Sequence, residues 1–181
     1  ESGKSEKYEE SAALAYGAVK GKGNKMGNFY DNWLQYWKEE QEERRNARIH
    51  IHEEDLAWVR TPQDRRAALL CAREMGFVTS GVTMISEIPA KWHTGKHSHG
   101  EEVMYILQGQ GFSLVDGLRY DWEAGSGLFM PYGSVHQHFN RDTSKGCRWV
   151  AFRDLLVGRC IANAIDQVAE MPELRGTARR G

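Results

Sequence analysis

Between residues 102 and 140 the chain is a run of short apolar segments separated by turns and by nothing longer. The turns are Gly109–Gly111, Asp116-Gly117, Ala124-Gly125 and Pro131-Tyr132-Gly133. No stretch between them is long enough for a helix, and evenly spaced short strands with Gly-rich turns fold as a sandwich or a barrel. Asp116-Gly117, between FSLV and LRYDW, predicts a hairpin, because both turn residues tolerate positive φ. A strand rich in Val, Thr and Ile, FVTSGVTMISEIPA, precedes the run and ends at Pro89, and CRWVAFRDLLV follows it as a last strand. The fold class read from these features is all-β.

The flanks read differently. Residues 1–75 are expected to form an arm with one helix, FYDNWLQYWKEEQEERRNA from Phe29 to Ala47. Asp31 can cap it, and Trp33, Leu34 and Trp37 share a face with Tyr30 one turn back. That face is expected to dock on the barrel or on a second subunit. The Glu39 to Arg45 run is a solvated face with pairs such as Glu40–Arg44. Residues 48–59 hold a short alternation, a possible strand with His50 and His52 on one side, and residues 63–75 fit either a helical turn or strands. The barrel is expected over 76–157, with a short helix and polar tail over 158–181.

Composition excludes several classes. A formal net charge of −1 over 181 residues offers no electrostatic pull toward nucleic acid or an anionic membrane. No apolar run reaches the roughly 20 residues of a membrane span, and the first residues lack the apolar core of a signal peptide. Cys71, Cys147 and Cys160 are odd in number and far apart, which reads as reduced thiols in a cytoplasm. Edge strands and the aromatic helix face predict a homodimer or higher homo-oligomer.

Five of the histidines fall between positions 93 and 138: His93, His97, His99, His136 and His138. Neutral imidazole is the commonest ligand of borderline divalent metals. In extended chain His97 and His99 point to the same side. Glu102 opens the next strand and can add a carboxylate, while His136 arrives from a distant strand after Pro131-Tyr132-Gly133. Four groups from two strand regions can so meet at one ion. His138, two residues on, faces the same interior as His136. It is read as a proton-handling catalytic group beside the centre or, equally, as an orienting or packed histidine. Met84, Met104, Ile106 and Phe129 are expected to line an apolar pocket wall, with Tyr105 an alternative proton carrier. Trp122 and Phe139 are read as packing and Arg119 as a surface residue.

The run GKHSHGEEVMYILQG, Gly95 to Gly109, resembles the first cupin motif, and GSGLFMPYGSVHQHFN, Gly125 to Asn140, the second. The second matches through Pro131, Gly133, His136 and Asn140. The first departs by its shortened loop, in which only Gly100 and Glu101 separate His99 from Glu102. Glu102 rather than Glu101 is placed by its distance to Gly109, and His93 is a possible substitute for His97 or His99. GLRYDWEAGSGLFMPYGSVHQHFN is further similar to gentisate-dioxygenase-like cupins. The resemblance implies a cupin jelly-roll barrel holding one divalent transition metal, Fe(II) favoured over Mn, Zn, Ni or Cu, on His97, His99, Glu102 and His136. It also implies a small-molecule substrate. Dioxygenase chemistry on an aromatic, diol or diketone compound is the leading expectation. Non-oxidative isomerase, decarboxylase or lyase chemistry, and binding without turnover, are the alternatives.

Overall fold

The computed structural model describes residues 28–64, 66–155 and 165–172. The chain divides into two compact units, Glu1–Arg45 and Asn46–Gly181. The described part of the first is one helix, α1 (Phe29–Arg45). Its N-terminus is capped by Asn28 rather than Asp31: Asn28 Oδ1 accepts the amides of Tyr30 and Asp31 at 3.0 and 3.1 Å, and its Nδ2 donates to the Asp31 carboxylate at 2.7 Å. The capping position is the one before the first helical residue, and Asp31 already lies inside the first turn. No residue of α1 is buried, its aromatic face included.

Among its described residues the second unit holds ten strands in two antiparallel sheets. They are β1 (Arg66–Cys71), β2 (Gly81–Ile88), β3 (Lys96–Ser98), β4 (Glu102–Gln108), β5 (Gln110–Val115), β6 (Leu118–Glu123), β7 (Gly127–Met130), β8 (His136–Asn140), β9 (Cys147–Asp154) and β10 (Asp166–Ala169). One sheet runs β1-β2-β9-β4-β7 and the other β10-β3-β8-β5-β6. Non-consecutive neighbours in both sheets give the jelly-roll arrangement expected of a cupin. The β5–β6 hairpin turns on Asp116 and Gly117 at φ 50° and 83°, as the dipeptide predicted.

Alternation fixes which side chains point inward. Met104 and Ile106 of β4, Trp149 and Ala151 of β9 and Trp122 of β6 are buried and pack with Ile88 and Cys147 into the core between the sheets. The complementary set on the outer face of the first sheet is covered in part by the chain before β1: Leu56, Ala68 and Ile85 form a second cluster with Ile51 and Trp58 packed on it. There the Arg66 guanidinium lies 3.9 Å from the centroid of the Trp58 ring, and Glu87 takes both Arg66 and Arg148.

The flanks of the barrel contain more strand than their sequence suggested. β1 lies in the stretch assigned to the arm, and β10 in the stretch expected to be helical. The possible strand over 48–59 is a 3-10 turn at Glu53–Asp55 followed by a single bridge, Val59 to Ala67. Isolated alternation over so few residues does not outweigh three consecutive acids that favour a turn. Residues 158–164 and 173–181, where the rest of the expected C-terminal helix falls, lie outside the described residues, as does Cys160. Cys71 and Cys147 are free thiols.

Candidate metal centre

The site lies between the sheets at one end of the core. β3 and β8 run antiparallel with His97 opposite His136, and His99 follows β3 by one residue. The loop holding His99 is tied to the second motif by a main-chain bond, Gly133 N–H to His99 O at 2.8 Å. The Pro-x-Gly turn thereby sets the two histidine-bearing segments in register. Asn140, the last residue of that motif, faces inward but away from the site. It donates to the carbonyls of Pro89 and Lys145 and accepts the amide of Asp142, which pins two loops.

His97, His99 and His136 are buried, and one ring nitrogen from each lies within 4.8 Å of the others, a group that could hold a metal ion. Their other nitrogens settle the tautomers. Nδ1 of His97 meets Gly95 O at 3.0 Å, Nδ1 of His99 meets Gly100 O at 2.6 Å, and Nδ1 of His136 meets Ser134 O at 2.9 Å. A carbonyl only accepts, so each Nδ1 carries the proton and each Nε2 is left with a lone pair. Nε2 of His99 and Nε2 of His136 then face each other at 3.2 Å with no hydrogen between them. Two such lone pairs repel unless a cation lies between. Two nitrogens at metal-bonding distance from one ion are separated by roughly 3.0–3.4 Å, depending on coordination geometry. The imidazoles fit a divalent ion on this ground.

Burial keeps the rings neutral and ready to coordinate. It lowers the His97 pKa to about 4, with the neighbouring His136 adding to the effect, and lowers that of His99 to about 3, with the Arg153 charge adding to it. His136 is lowered for the same first reason.

Glu102 is buried at the start of β4, with Oε2 3.6 Å from His99 Nε2 and 3.1 Å from Arg153 Nη2. Burial raises its pKa and the arginine opposes that rise. The structure therefore places Glu102 at the edge of the three-imidazole group, shared with a guanidinium that the sequence reading did not include. Glu101 points to solvent.

His138 lies on the same face of β8, buried, but bound differently. Its Nδ1 is 2.7 Å from Ser113 Oγ, and Ser113 Oγ also accepts Trp122 Nε1–H at 2.9 Å. The Ser113 oxygen has a second lone pair, so the hydroxyl can donate to Nδ1, with the proton of a neutral His138 on Nε2, or accept from Nδ1–H. Burial followed by the other imidazoles holds its pKa well below the ordinary value.

The remaining candidates separate. His93 is half-buried outside the group, with Nδ1 near Gln137 Nε2 and the carbonyl of Thr94, and its ring leans on Phe139. His50 and His52 are exposed, edge to face with each other. Arg119 stacks on Phe112 at 4.0 Å and pairs with Asp121, a surface role. Of the expected apolar wall, Met84 faces the cavity and the other three residues do not. Phe129 is 57 % exposed, Tyr105 is exposed too, and Met104 and Ile106 pack in the core. In β4 only the even-numbered side chains face inward, and β7 turns Phe129 outward.

The cavity beside the imidazoles has a volume of about 20 Å³ and a largely polar lining, room for about one water. Asp64, Glu102, Arg153 and Ser86 face it with Met84, Trp149 and Ala151. Asp64 and Gln63 belong to a strap, Thr61–Asp64, that lines one side of it. Gly95 N–H donates to Gln63 O at 2.7 Å and Met171 N–H to Pro62 O at 3.1 Å. Gly95 allows this approach, since a Cβ there would meet the Pro62 carbonyl and the Gln167 amide. Asp64 accepts the Ser86 hydroxyl at 3.0 Å, and burial raises its pKa to about 7. Arg153 was legible as a charge in the inward register of Trp149 and Ala151. Asp64, in a four-residue loop, carried no signal.

Among known proteins, the family model described as a cupin domain matches residues 82–153. The polyketide cyclase RemF from Streptomyces resistomycificus shares 17 % identity at a TM-score of 0.53, over 67 % of this chain and 85 % of that one. A mutant salicylate 1,2-dioxygenase from Pseudoaminobacter salicylatoxidans, in complex with gentisate, shares 14 % identity at a TM-score of 0.50, over 80 % of this chain and 37 % of its own. This chain thus spans little more than a third of that enzyme. At such identities the likeness is one of fold. No curated protein matches the sequence.

Proposed function

The chain is a member of the cupin superfamily through residues 82–153, and on that premise we propose that it is a metal-dependent enzyme of the dioxygenase type acting on a small aromatic, diol or diketone substrate. One observation carries the reading: three Nδ1 protons are fixed on backbone carbonyls, so three Nε2 lone pairs converge at a buried point. His97, His99 and His136 would hold the ion, with Glu102 as the fourth ligand once it turns from Arg153. A divalent ion there supplies Lewis acidity, and Fe(II) adds the capacity for chemistry with O₂. The chain's own contribution is orientation, a small buried cavity and a proton donor or acceptor. His138 is suited to the last task, since it lines the cavity while Ser113 holds its Nδ1 edge.

A non-oxidative reading, isomerisation, decarboxylation or a lyase step on Mn or Zn, is favoured by the same histidine, because a poised proton carrier is useful without any change of oxidation state. The fold does not choose between them. Self-association and a cytoplasmic setting complete the proposal. The former is supported by exposed Val103, Tyr105, Phe129 and Phe152 on the outer side of the first sheet. Elemental analysis of untagged protein, followed by O₂ uptake with a panel of diols and diketones, tests it. Iron with O₂ consumption supports the dioxygenase reading, zinc or manganese without uptake supports the second, and protein that retains no metal under any loading condition sinks both.

A further inference from the structure

The cavity has one permanently positive group among its described lining residues, Arg153. Its side chain is 12 % exposed, and its guanidinium donates from Nη2 to Glu102 at 3.1 Å. Its Nε–H is buried and has no partner. Orphaned buried donors of this kind are rare in folded chains, and those on a guanidinium are well placed to accept a two-oxygen acid, because Nε–H and a neighbouring N–H run parallel. β9 turns Arg153 inward beside the imidazoles, close enough that its charge bears on the protonation of His99 and His136. With a divalent ion seated, the cavity is net positive whichever state Asp64 is in, which favours an anionic form of the substrate.

We propose that Arg153 is the specificity-determining residue of the site, binding the carboxylate of a small acid whose other donor atom reaches the metal. This rests on the metal-centre reading and names its substrate class. The planar, two-oxygen shape of a carboxylate matches the guanidinium edge as a spherical halide does not. Even a two-carbon acid needs more room than one water, and that room comes from displacement of Gln63 and Asp64, whose strap is anchored by two main-chain bonds. On entry of the acid, Arg153 keeps Glu102 through Nη2 or yields it to the ion; either way the orphaned Nε–H gains its acceptor.

The test uses the full chain loaded with Co(II), titrated with glycolate and with glycolamide and followed by the visible spectrum of the cobalt. The two probes present the same hydroxyl to the ion and differ in the charge they offer the guanidinium. Because a carboxylate also binds the ion itself better than an amide, the decisive comparison is between Glu102→Gln and the double variant Glu102→Gln/Arg153→Gln, which leaves no lone charge of that pair buried. The preference for glycolate is expected to fall at least 10-fold on removing Arg153, with Arg153→Lys intermediate because it keeps the charge and loses the fork. An unchanged preference in the double variant, or in Arg153→Lys should the double variant not fold, overturns the proposal. Failure of the metal-centre reading is seen separately, as wild-type protein that retains no cobalt. In that case Arg153 is read from the melting temperature of the metal-free protein. A rise with acetate over chloride at matched ionic strength, lost in Arg153→Lys, supports the assignment, and no rise overturns it.

Discussion

Ser113 stands between Trp122 and His138, its Oγ 2.9 Å from the indole nitrogen and 2.7 Å from His138 Nδ1. The hydroxyl accepts from the indole and meets the imidazole, so a residue with no exposed surface holds the Nδ1 edge of a neighbouring histidine in place.

His138→Ala is therefore expected to leave metal content near wild type and to lower turnover by ~10²–10⁴-fold, the usual contribution of a general acid or base. Elemental analysis and steady-state rates check the two halves. Metal loss would make His138 a ligand, and unchanged turnover would make it packing. Ser113→Ala strands the Trp122 N–H and is expected to cost about 1–3 kcal/mol of stability in denaturant titration.

His136→Ala removes one of the three converging nitrogens. Stoichiometric metal binding is expected to disappear while far-UV circular dichroism keeps the β signature. His93→Ala, outside the group, serves as the control and is expected to retain the metal.

Protons compete with metal for imidazole, and the competition begins at the folded-state pKa. Because burial lowers His97 to about 4 and His99 to about 3, metal is expected to stay bound as pH falls below 6.5, the ordinary histidine value, and to leave as it approaches 4. Dialysis at stepped pH with metal analysis at each step measures this. Release centred at 6.5 would mean that the rings are not desolvated as described.

Glu102→Gln keeps an oxygen near the imidazoles but removes the counter-charge of Arg153. A modest loss of metal affinity is expected, with a stability cost of a few kcal/mol, since stripping one partner from a buried ion pair leaves the other uncompensated. Glu101→Gln, one residue away and exposed, is expected to change neither. Equal metal affinity in the two variants would remove Glu102 from the coordination set.

Val103 of β4 is aligned with Phe152 of β9 on one side and Phe129 of β7 on the other, and all three are exposed. Light scattering at micromolar concentration is expected to give the mass of a dimer or larger, reduced toward that of a single chain by Val103→Glu. A single-chain mass for wild type would show that this row is left open to solvent.

The sequence was most informative where one period decided many side chains. Alternation in EVMYILQ and HQHFN put Glu102, Met104, His136 and His138 inside, and glycine-bearing turns marked the strand ends from β4 to β8. It was least informative where structure depends on pairing across a distance. β1 and β10 carry little alternation of their own and become strands by lying against β2 and β3. Phe129 was placed in a pocket wall from its hydrophobicity, whereas its register in β7 turns it outward. The ion pair between Glu102 and Arg153 joins residues on neighbouring strands far apart in sequence, and neither announces the other.

The strap formed by Thr61, Pro62, Gln63 and Asp64 has a consequence for timing. Gln63 and Asp64 line the cavity, so an ion bound there would sit partly behind this strap, and a chelator in solution is expected to be slowed by the movement the strap must make. Extraction is then slow even where binding is weak.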